Sequence, residues 1–467
     1  MVKQRSFREA LACIESVENK LDLSTWTING VYIWKLLRFS VFRRYLRFLG
    51  VHQEAHPEKK RLRKSSAAKV KERLKQLCFR NPFFVRGNVR RIIRTWEKKK
   101  KINNKIVDPI TYHTWKDSIG DTTLVLDSET PLFPNPIDGS CAPQVLLNLG
   151  RLVGLAVSIS LEEQDTEMVR AINDALLVNR TRNVLTANQV RSRVRRFIGV
   201  KHIYKLLYSW VKPDIVYLVC GYNKEPLVAA AQEKGIPVAE FQHGAIGRGH
   251  LGYDYKGWGA VPYFPNCFLA FGPAWFNDVY MPTNTEIIVT GSPHIEKRIE
   301  EATKHVTRKT KQLLVLSQGT ISEKLLREVA VFIKKRPDWQ VIVRPHPSES
   351  SDVLKRQLIE FVENSPKRVQ VGNEQSLSEQ AAQSGVALGV NSTAIIESML
   401  AGCRVALMPL GSANTYKDLS RNGKAKTVQN GTELAEVIDD IPEGDARDYY
   451  AKPVDDVVSF IEGNYLT

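Results

Sequence analysis

Cysteine is scarce in this sequence: six residues in 467, at positions 13, 78, 141, 220, 267 and 403. None of the spacings makes a CxxC pair or a zinc knuckle, and a disulfide scaffold is excluded. Cys220 and Cys267 lie in apolar runs that suit buried free thiols, which fits a reducing cytosol. Long apolar runs are missing too. No stretch of about 18 uncharged apolar residues occurs, so no transmembrane helix is expected. Met1–Arg8 is followed by no apolar signal segment. Acidic residues are sparse at one end: 8 of 50 fall in the first 100 positions, against 26 of 67 basic ones. That segment carries +18, while the remainder, with 41 basic and 42 acidic residues, carries −1. Such asymmetry points to a local anionic partner rather than to the fold. Neither GxxxxGK[ST] nor GxGxxG occurs, so the familiar phosphate loops are absent.

What is present is ordinary globular material. Hydrophobic residues make up 43% and charged residues 25%, enough to build cores. At roughly 150 residues per domain the length suggests two or three domains. Residues 7–19 read as a short helix, and Asn29-Gly30 as a turn. From Val31 to Val51, apolar and aromatic residues recur at helical spacing, with Lys35, Arg38, Arg43, Arg44 and Arg47 between them. Such a helix either packs into a core with a charged outer face or lies on a membrane surface. Residues 52–105 are the most basic stretch. They read as a solvated linker or as a segment drawn to anionic lipid headgroups. They carry no stacking motif or nucleic-acid fold signature.

From about residue 108 short apolar runs alternate with helical patterns. Candidate strands are 123–127, 214–220, 236–242, 267–271 and 286–290, then 313–317, 340–344, 368–371, 386–390 and 404–408. Continuous apolar strands separated by helices imply parallel sheets covered on both faces. Two such series predict two doubly wound α/β domains. A polar, charged boundary falls near 291–310, and a closing helix over 453–462.

In open parallel sheets ligands bind at the carboxyl ends of strands, so the residues following each strand are the candidates. Ser317-Gln318-Gly319-Thr320 is a polar turn leading into a helix, able to face an anion or to act as a plain capped turn. Arg344-Pro345-His346-Pro347 holds a guanidinium and an imidazole on restricted backbone. Arg344 can fork onto a phosphate; the alternative is a rigid turn with a surface histidine. Asn391, Ser392 or Thr393 can cap the next helix and leave its amides for a diphosphate. Glu397, one turn in, can accept from ribose hydroxyls or be an ordinary exposed glutamate. In the first series a strand ends in Gln242-His243-Gly244 and runs into a glycine-rich stretch holding His250, Tyr253, Asp254 and Tyr255. His243 is a candidate general base or a buried, hydrogen-bonded histidine. Glu225, after Cys220-Gly221-Tyr222, is a second, weaker candidate, since glutamate is common in first helical turns.

These residues resemble the GT-B glycosyltransferases of bacterial surface polysaccharides, more narrowly the capsule and lipopolysaccharide biosynthesis proteins with a Gln-His-Gly loop. The motifs that carry the likeness are EFQHGAIGRGHLGY, FLAFGPAW with IIVTGSPHIE, VRPHP and NSTAIIESMLAGCRV, over about residues 210–410. The second-domain pair is shared with CDP-alcohol phosphotransferases of teichoic acid synthesis and with Kdo and sialic acid transferases. The resemblance implies two Rossmann-like domains facing a cleft: an acceptor domain over 108–297 and a nucleotide-sugar donor domain over 298–445. Composition and periodicity, not the resemblance, set apart a basic helical N-terminal region over 1–107 and a terminal helix over 446–467. Donor contacts would come from Gln318, Gly319, Thr320, Arg344, His346, Pro347, Asn391, Ser392, Thr393 and Glu397. His243 would act as base, with Glu225 and Asp254 as substitutes, and Gln242, Gly244, His250 and Tyr253 would line the acceptor loop.

The resemblance implies no cofactor and no catalytic metal, in keeping with the lack of a DxD motif. The expected partners are a nucleotide sugar, a glycan or lipid-linked acceptor and, through residues 31–105, an anionic membrane surface, with no nucleic acid. The expected place is the cytoplasm, at the inner face of the cytoplasmic membrane. Rival readings are a CDP-alcohol phosphotransferase, a UDP-sugar 2-epimerase-like enzyme and a non-catalytic assembly protein.

Overall fold

The computed structural model describes residues 7–50, 80–85, 88–102, 105–115, 122–127, 141–176, 183–304, 306–307, 309–346, 349–361, 368–372, 375–410 and 416–465. The chain divides into two compact units. Of the described residues, those up to His294 and from Pro453 onward form unit 1, and those within Ile295–Lys452 form unit 2. The closing helix, Val457–Tyr465, therefore belongs to unit 1, where Val457, Val458 and Ile461 enter the core beside Trp115 and Tyr217.

Unit 1 is built on six parallel strands: β1 Arg91–Arg94, β2 Thr123–Leu126, β3 Ile215–Val219, β4 Val238–Phe241, β5 Cys267–Ala270 and β6 Glu286–Val289. Their order is β6-β5-β4-β3-β1-β2. Unit 2 repeats the principle with β7 Lys309–Leu316, β8 Gln340–Arg344, β9 Val369–Val371, β10 Ser384–Gly389, β11 Arg404–Leu407 and β12 Lys426–Thr427. Here the order is β9-β8-β7-β10-β11-β12, again all parallel. The fold class is thus α/β with two Rossmann-like doubly wound sheets, as the two strand series predict. Central strands β3 and β10 are buried at every position, which is why they read as unbroken apolar runs.

The expected start of the first sheet domain at residue 108 is corrected. β1, inside the basic stretch RRIIRTWEKKKK, pairs with both β2 and β3. Its Ile92 and Ile93 are buried. Arg91 at its edge is held by Glu462, with Nη2 donating to Oε2 at 2.6 Å. The sequence reads as solvated linker because the anion that offsets its charge lies 371 positions away.

The segment 31–51 is also settled. Helix Ile33–Phe48 turns Trp34, Leu37, Val41, Phe42 and Tyr45 into a core shared with helix Phe7–Lys20 and with residues from 159 to 197. Its apolar face is therefore taken up inside unit 1 and not free for a membrane surface. Lys35 and Arg38, expected on an outer face, are buried. Arg38 forks onto Glu18, with Nη2 to Oε2 at 3.0 Å, and donates from Nη1 to the carbonyls of Leu251 and Asp254. Trp34 Nε1 donates to the same Glu18 carboxylate at 2.7 Å. The two N-terminal helices are thus a buttress for the glycine-rich loop. Residues 52–79, the core of the basic stretch, lie outside the described residues. Among the described residues no helix is long and apolar enough to cross a membrane.

Candidate functional site

In unit 2 the strand order reverses between β7 and β10, the place where doubly wound sheets open a crevice at their carboxyl ends. β7 ends at Leu316 and leads through Ser317-Gln318 into the short turn Gly319–Ile321. β10 ends at Gly389 and leads through Asn391-Ser392-Thr393 into helix Ala394–Leu400. The two turns meet: the Asn391 N–H donates to Gln318 Oε1 at 3.3 Å. Ser392 is the side chain that caps the helix, its Oγ accepting from the Ala394 N–H at 3.2 Å.

Arg344, at the end of β8, is half-buried and donates from Nη1 to Gln375 O at 2.9 Å and Gln380 Oε1 at 2.6 Å. Glu349 ties this strand end to its neighbour. It accepts from the His346 N–H at 2.7 Å and from Ser317 Oγ at 3.0 Å. Sequence reasoning missed Glu349, although its place three residues after His346 is a local signal. It also missed Arg298, whose Nη2 lies 3.1 Å from Glu397 Oε2. The carboxylate expected to serve a ribose is therefore already ion-paired. Gly319 is exposed. The Thr320 side chain and Pro347 lie outside the described residues.

In unit 1 the expected base is the head of a relay. β4 carries Glu240, fully buried, which accepts from the Gly221 N–H at 2.7 Å and from the Tyr253 hydroxyl at 2.5 Å. Tyr253 Oη stands 3.2 Å from His243 Nδ1. A tyrosine hydroxyl has one proton. When it is given to Glu240, His243 Nδ1–H donates to the tyrosine oxygen, and Nε2 is left with a lone pair. Trp96, Tyr222 and His250 pack around the imidazole at centroid distances of 5.5, 5.8 and 6.3 Å. Burial, with the charges of His250, Lys224 and Lys98, pushes the His243 pKa down to about 3. The ring is thus neutral at physiological pH, with a lone pair on one nitrogen but with its basicity lowered by burial.

Burial pushes Glu240 up to about 7, against the hydrogen bonds from Tyr253 and Gly221 and the charges of Lys224 and Lys35. Its Oε2 has no hydrogen-bond partner among the described residues. As pH falls through about 7 the carboxyl gains a proton. With the proton on Oε1 the carboxyl becomes a donor to the Tyr253 oxygen, the hydroxyl turns to donate to His243 Nδ1, and the ring proton moves to Nε2. The expected result is a tautomer change at His243 near pH 7, with no protonation of the ring until about pH 3. ¹⁵N chemical shifts of the ring report it, and Glu240→Gln, which does not titrate, should abolish the change. A single tautomer from pH 5 to 9 in the wild type would refute the relay.

The remaining expectations divide. Asp254, offered as a substitute base, is corrected: it is fully buried and locked to Arg248 Nη1, to the Gly249 N–H at 2.7 Å and to the Tyr280 N–H at 3.2 Å. Arg248 in turn pairs with Glu15. Gln242 is likewise a clamp, accepting from the Phe271 N–H and donating to Gly244 O. A side chain on Gly244 would meet open space. His250 accepts from the Gly252 N–H at 3.3 Å, lies against Phe39, and is pushed down to about 4 by burial. Glu225 is buried, with its pKa raised for that reason, and lies beside Arg193 rather than in the relay. Among the described residues no group of three or more His, Cys, Asp or Glu side chains could hold a metal ion.

No protein-family model matches the chain. No curated protein matches it either. Solved structures do. UDP-GlcNAc 2-epimerase from Neisseria meningitidis, bound to UDP-GlcNAc, is similar at 14% identity and a TM-score of 0.45, covering 81% of this chain and 99% of that one. UDP-GlcNAc 2-epimerase from Methanocaldococcus jannaschii is similar at 11% and 0.44, covering 80% and 99%. The glycotransferase of kitacinnamycin is similar at 12% and 0.42, covering 76% and 91%. Likenesses of this size bear on no activity and no residue role.

Proposed function

We propose that this chain is a glycosyltransferase that moves a sugar from a nucleotide-sugar donor to a glycan or lipid-linked acceptor of a bacterial surface polysaccharide. The observation that carries the reading is the meeting of Gln318 and Asn391 at the β7/β10 reversal point of unit 2. The strand order there, 3-2-1-4-5-6 within the unit, is that of dinucleotide-binding sheets, whose ligands lie at this reversal point. The donor's phosphates would sit over Gln318, Gly319, Ser392 and Thr393, with Arg344 and His346 at the neighbouring strand end. Charge developing on the departing phosphate would be met by fixed donors, an electrostatic role. His243, neutral and held at Nδ1, would take the acceptor hydroxyl's proton on Nε2.

The test is thermal stabilisation by UDP, GDP, CDP and CMP. A nucleotide at 100 times its dissociation constant adds ~2.7 kcal/mol of apparent stability. At least one should stabilise the protein, and Arg344→Ala should lose ~1.5–3 kcal/mol of that binding. If none does, the reading fails. The released product then separates the rivals. A nucleoside diphosphate set free only with acceptor marks a glycosyltransferase, CMP with a phosphodiester product an alcohol phosphotransferase, and an isomerised donor without acceptor an epimerase.

The +18 charge of the first 100 residues suits an anionic membrane surface at the cytoplasmic face. The intact protein should co-sediment with phosphatidylserine vesicles and be released by salt. Equal sedimentation with neutral vesicles would sink that placement.

A further inference from the structure

Unit 1 has a reversal point of its own. Its order, 2-1-3-4-5-6 within the unit, switches between β1 and β3. A cavity of about 450 Å³ lies there, walled by the segments that follow these strands and by the helix Ala187–Val211. That volume falls within the range of small-molecule sites. Five basic and two acidic residues line it. Some of this charge is already satisfied. Arg94 donates to Glu97 at 2.8 Å, and Lys224 donates to the carbonyls of Val219 and Cys220.

Three further groups keep capacity to spare: Arg196, which is exposed, and Arg193 and Glu225, which face each other at 3.9 Å. Arg196 has no hydrogen-bond or ion-pair partner among the described residues, and it is crowded by Arg193 and Arg151. Arg193 reaches no closer than 3.9 Å to Glu225, beyond hydrogen-bond distance. Glu225 is 2% exposed, and among the described residues Arg193 is the one cation within 4 Å of its carboxylate. A buried carboxylate accepts hydroxyls; a pair of guanidiniums takes a phosphate or carboxylate in bidentate fashion. Trp96, Phe197 and Tyr204 line the same cavity.

We propose that this cavity binds an anionic sugar, either phosphorylated or uronic, with its charge on Arg193 and Arg196 and a hydroxyl on Glu225. A bare phosphate leaves the aromatic walls without a role; a neutral sugar leaves Arg196 without an anion. Trp96 lines the cavity and packs 5.5 Å from the His243 ring, so the cavity and the candidate base share one indole. The cavity's role as an acceptor site rests on the glycosyltransferase reading; its ligand class does not.

The experiment is titration calorimetry on the full chain with glucose 1-phosphate, glucuronate, glucose and inorganic phosphate. At least one of the first two should bind, with glucose and phosphate roughly tenfold weaker or more. Which of the two binds more tightly separates a phosphosugar from a uronate. Arg196→Gln removes a solvent-exposed, unpaired group, so the fold should survive, and affinity should drop roughly tenfold or more. Glu225→Gln should weaken the sugar anion relative to inorganic phosphate, which loses no contact and is freed of a nearby negative charge. The proposal is overturned if neither anionic sugar binds at ~10 mM, if phosphate alone binds as tightly, or if Arg196→Gln changes nothing. It is also overturned if Arg196→Gln removes nucleotide binding, since the cavity would then be a nucleotide site. Nucleotide stabilisation is the separate readout of unit 2. Sugar-anion binding without it sinks the transferase reading and keeps the cavity; the reverse sinks the cavity alone.

Discussion

Replacing Glu18 with alanine should cost unit 1 about 3–5 kcal/mol, because it leaves a buried cation without its counter-charge. The side chains of Glu18 and Arg38 are each 2% exposed. Arg38 reaches two carbonyls of the 243–259 loop as well as the carboxylate, so its guanidinium has every reason to stay inside when the partner is gone. Trp34 Nε1 loses its acceptor in the same step. Against the 5–15 kcal/mol by which domains are normally stable, this is a large fraction. Urea unfolding followed by tryptophan fluorescence measures it. Glu18→Gln, which keeps an oxygen for Trp34, should lose less than Glu18→Ala. A change below about 1 kcal/mol for Glu18→Ala would mean that water reaches Arg38. The loop should loosen with the loss of the pair, so hydrogen exchange at Leu251–Tyr255 should speed up in the same variant.

The second large effect concerns His243. With alanine in its place turnover should fall by ~10²–10⁴-fold, the usual contribution of a positioned general base. Nucleotide stabilisation should be unchanged, because the nucleotide contacts proposed here all belong to unit 2. Tyr253→Phe separates positioning from packing. It keeps the ring against Phe268 and His250 but removes the acceptor for His243 Nδ1–H. Its turnover should fall less than that of the alanine variant, and the tautomer change near pH 7 should disappear. Near-normal turnover of His243→Ala would remove His243 from the chemistry, whatever the state of the donor site.

Local pattern carried most of the fold into view. Ten of the twelve sheet strands are unbroken apolar runs or end in marked polar turns, and their alternation with helices implies two parallel sheets without any tertiary knowledge. The strand-end segments at 317–320, 344–346 and 391–393 were legible for the same reason: glycine, proline and capping residues act on their own backbone. β1 was not legible, because a four-residue strand bounded by arginines and lysines has the composition of a linker until Glu462 is beside it. β12, two residues long, carries no periodic signal at all.

The site divides in the same way. The sequence by itself determined which residues could act: His243 at a strand end, Arg344 between restricted positions, Asn391 to Thr393 before a helix. Tertiary structure decided which of them are free to. It committed Asp254 to Arg248 and two backbone amides, moved Glu225 from the candidate base to a separate cavity, and brought Glu240 and Tyr253 behind His243. Sequence spacing records chemistry along the chain. Whether a charge is solvated, paired or stranded depends on groups hundreds of positions away, and burial then decides what each group can do.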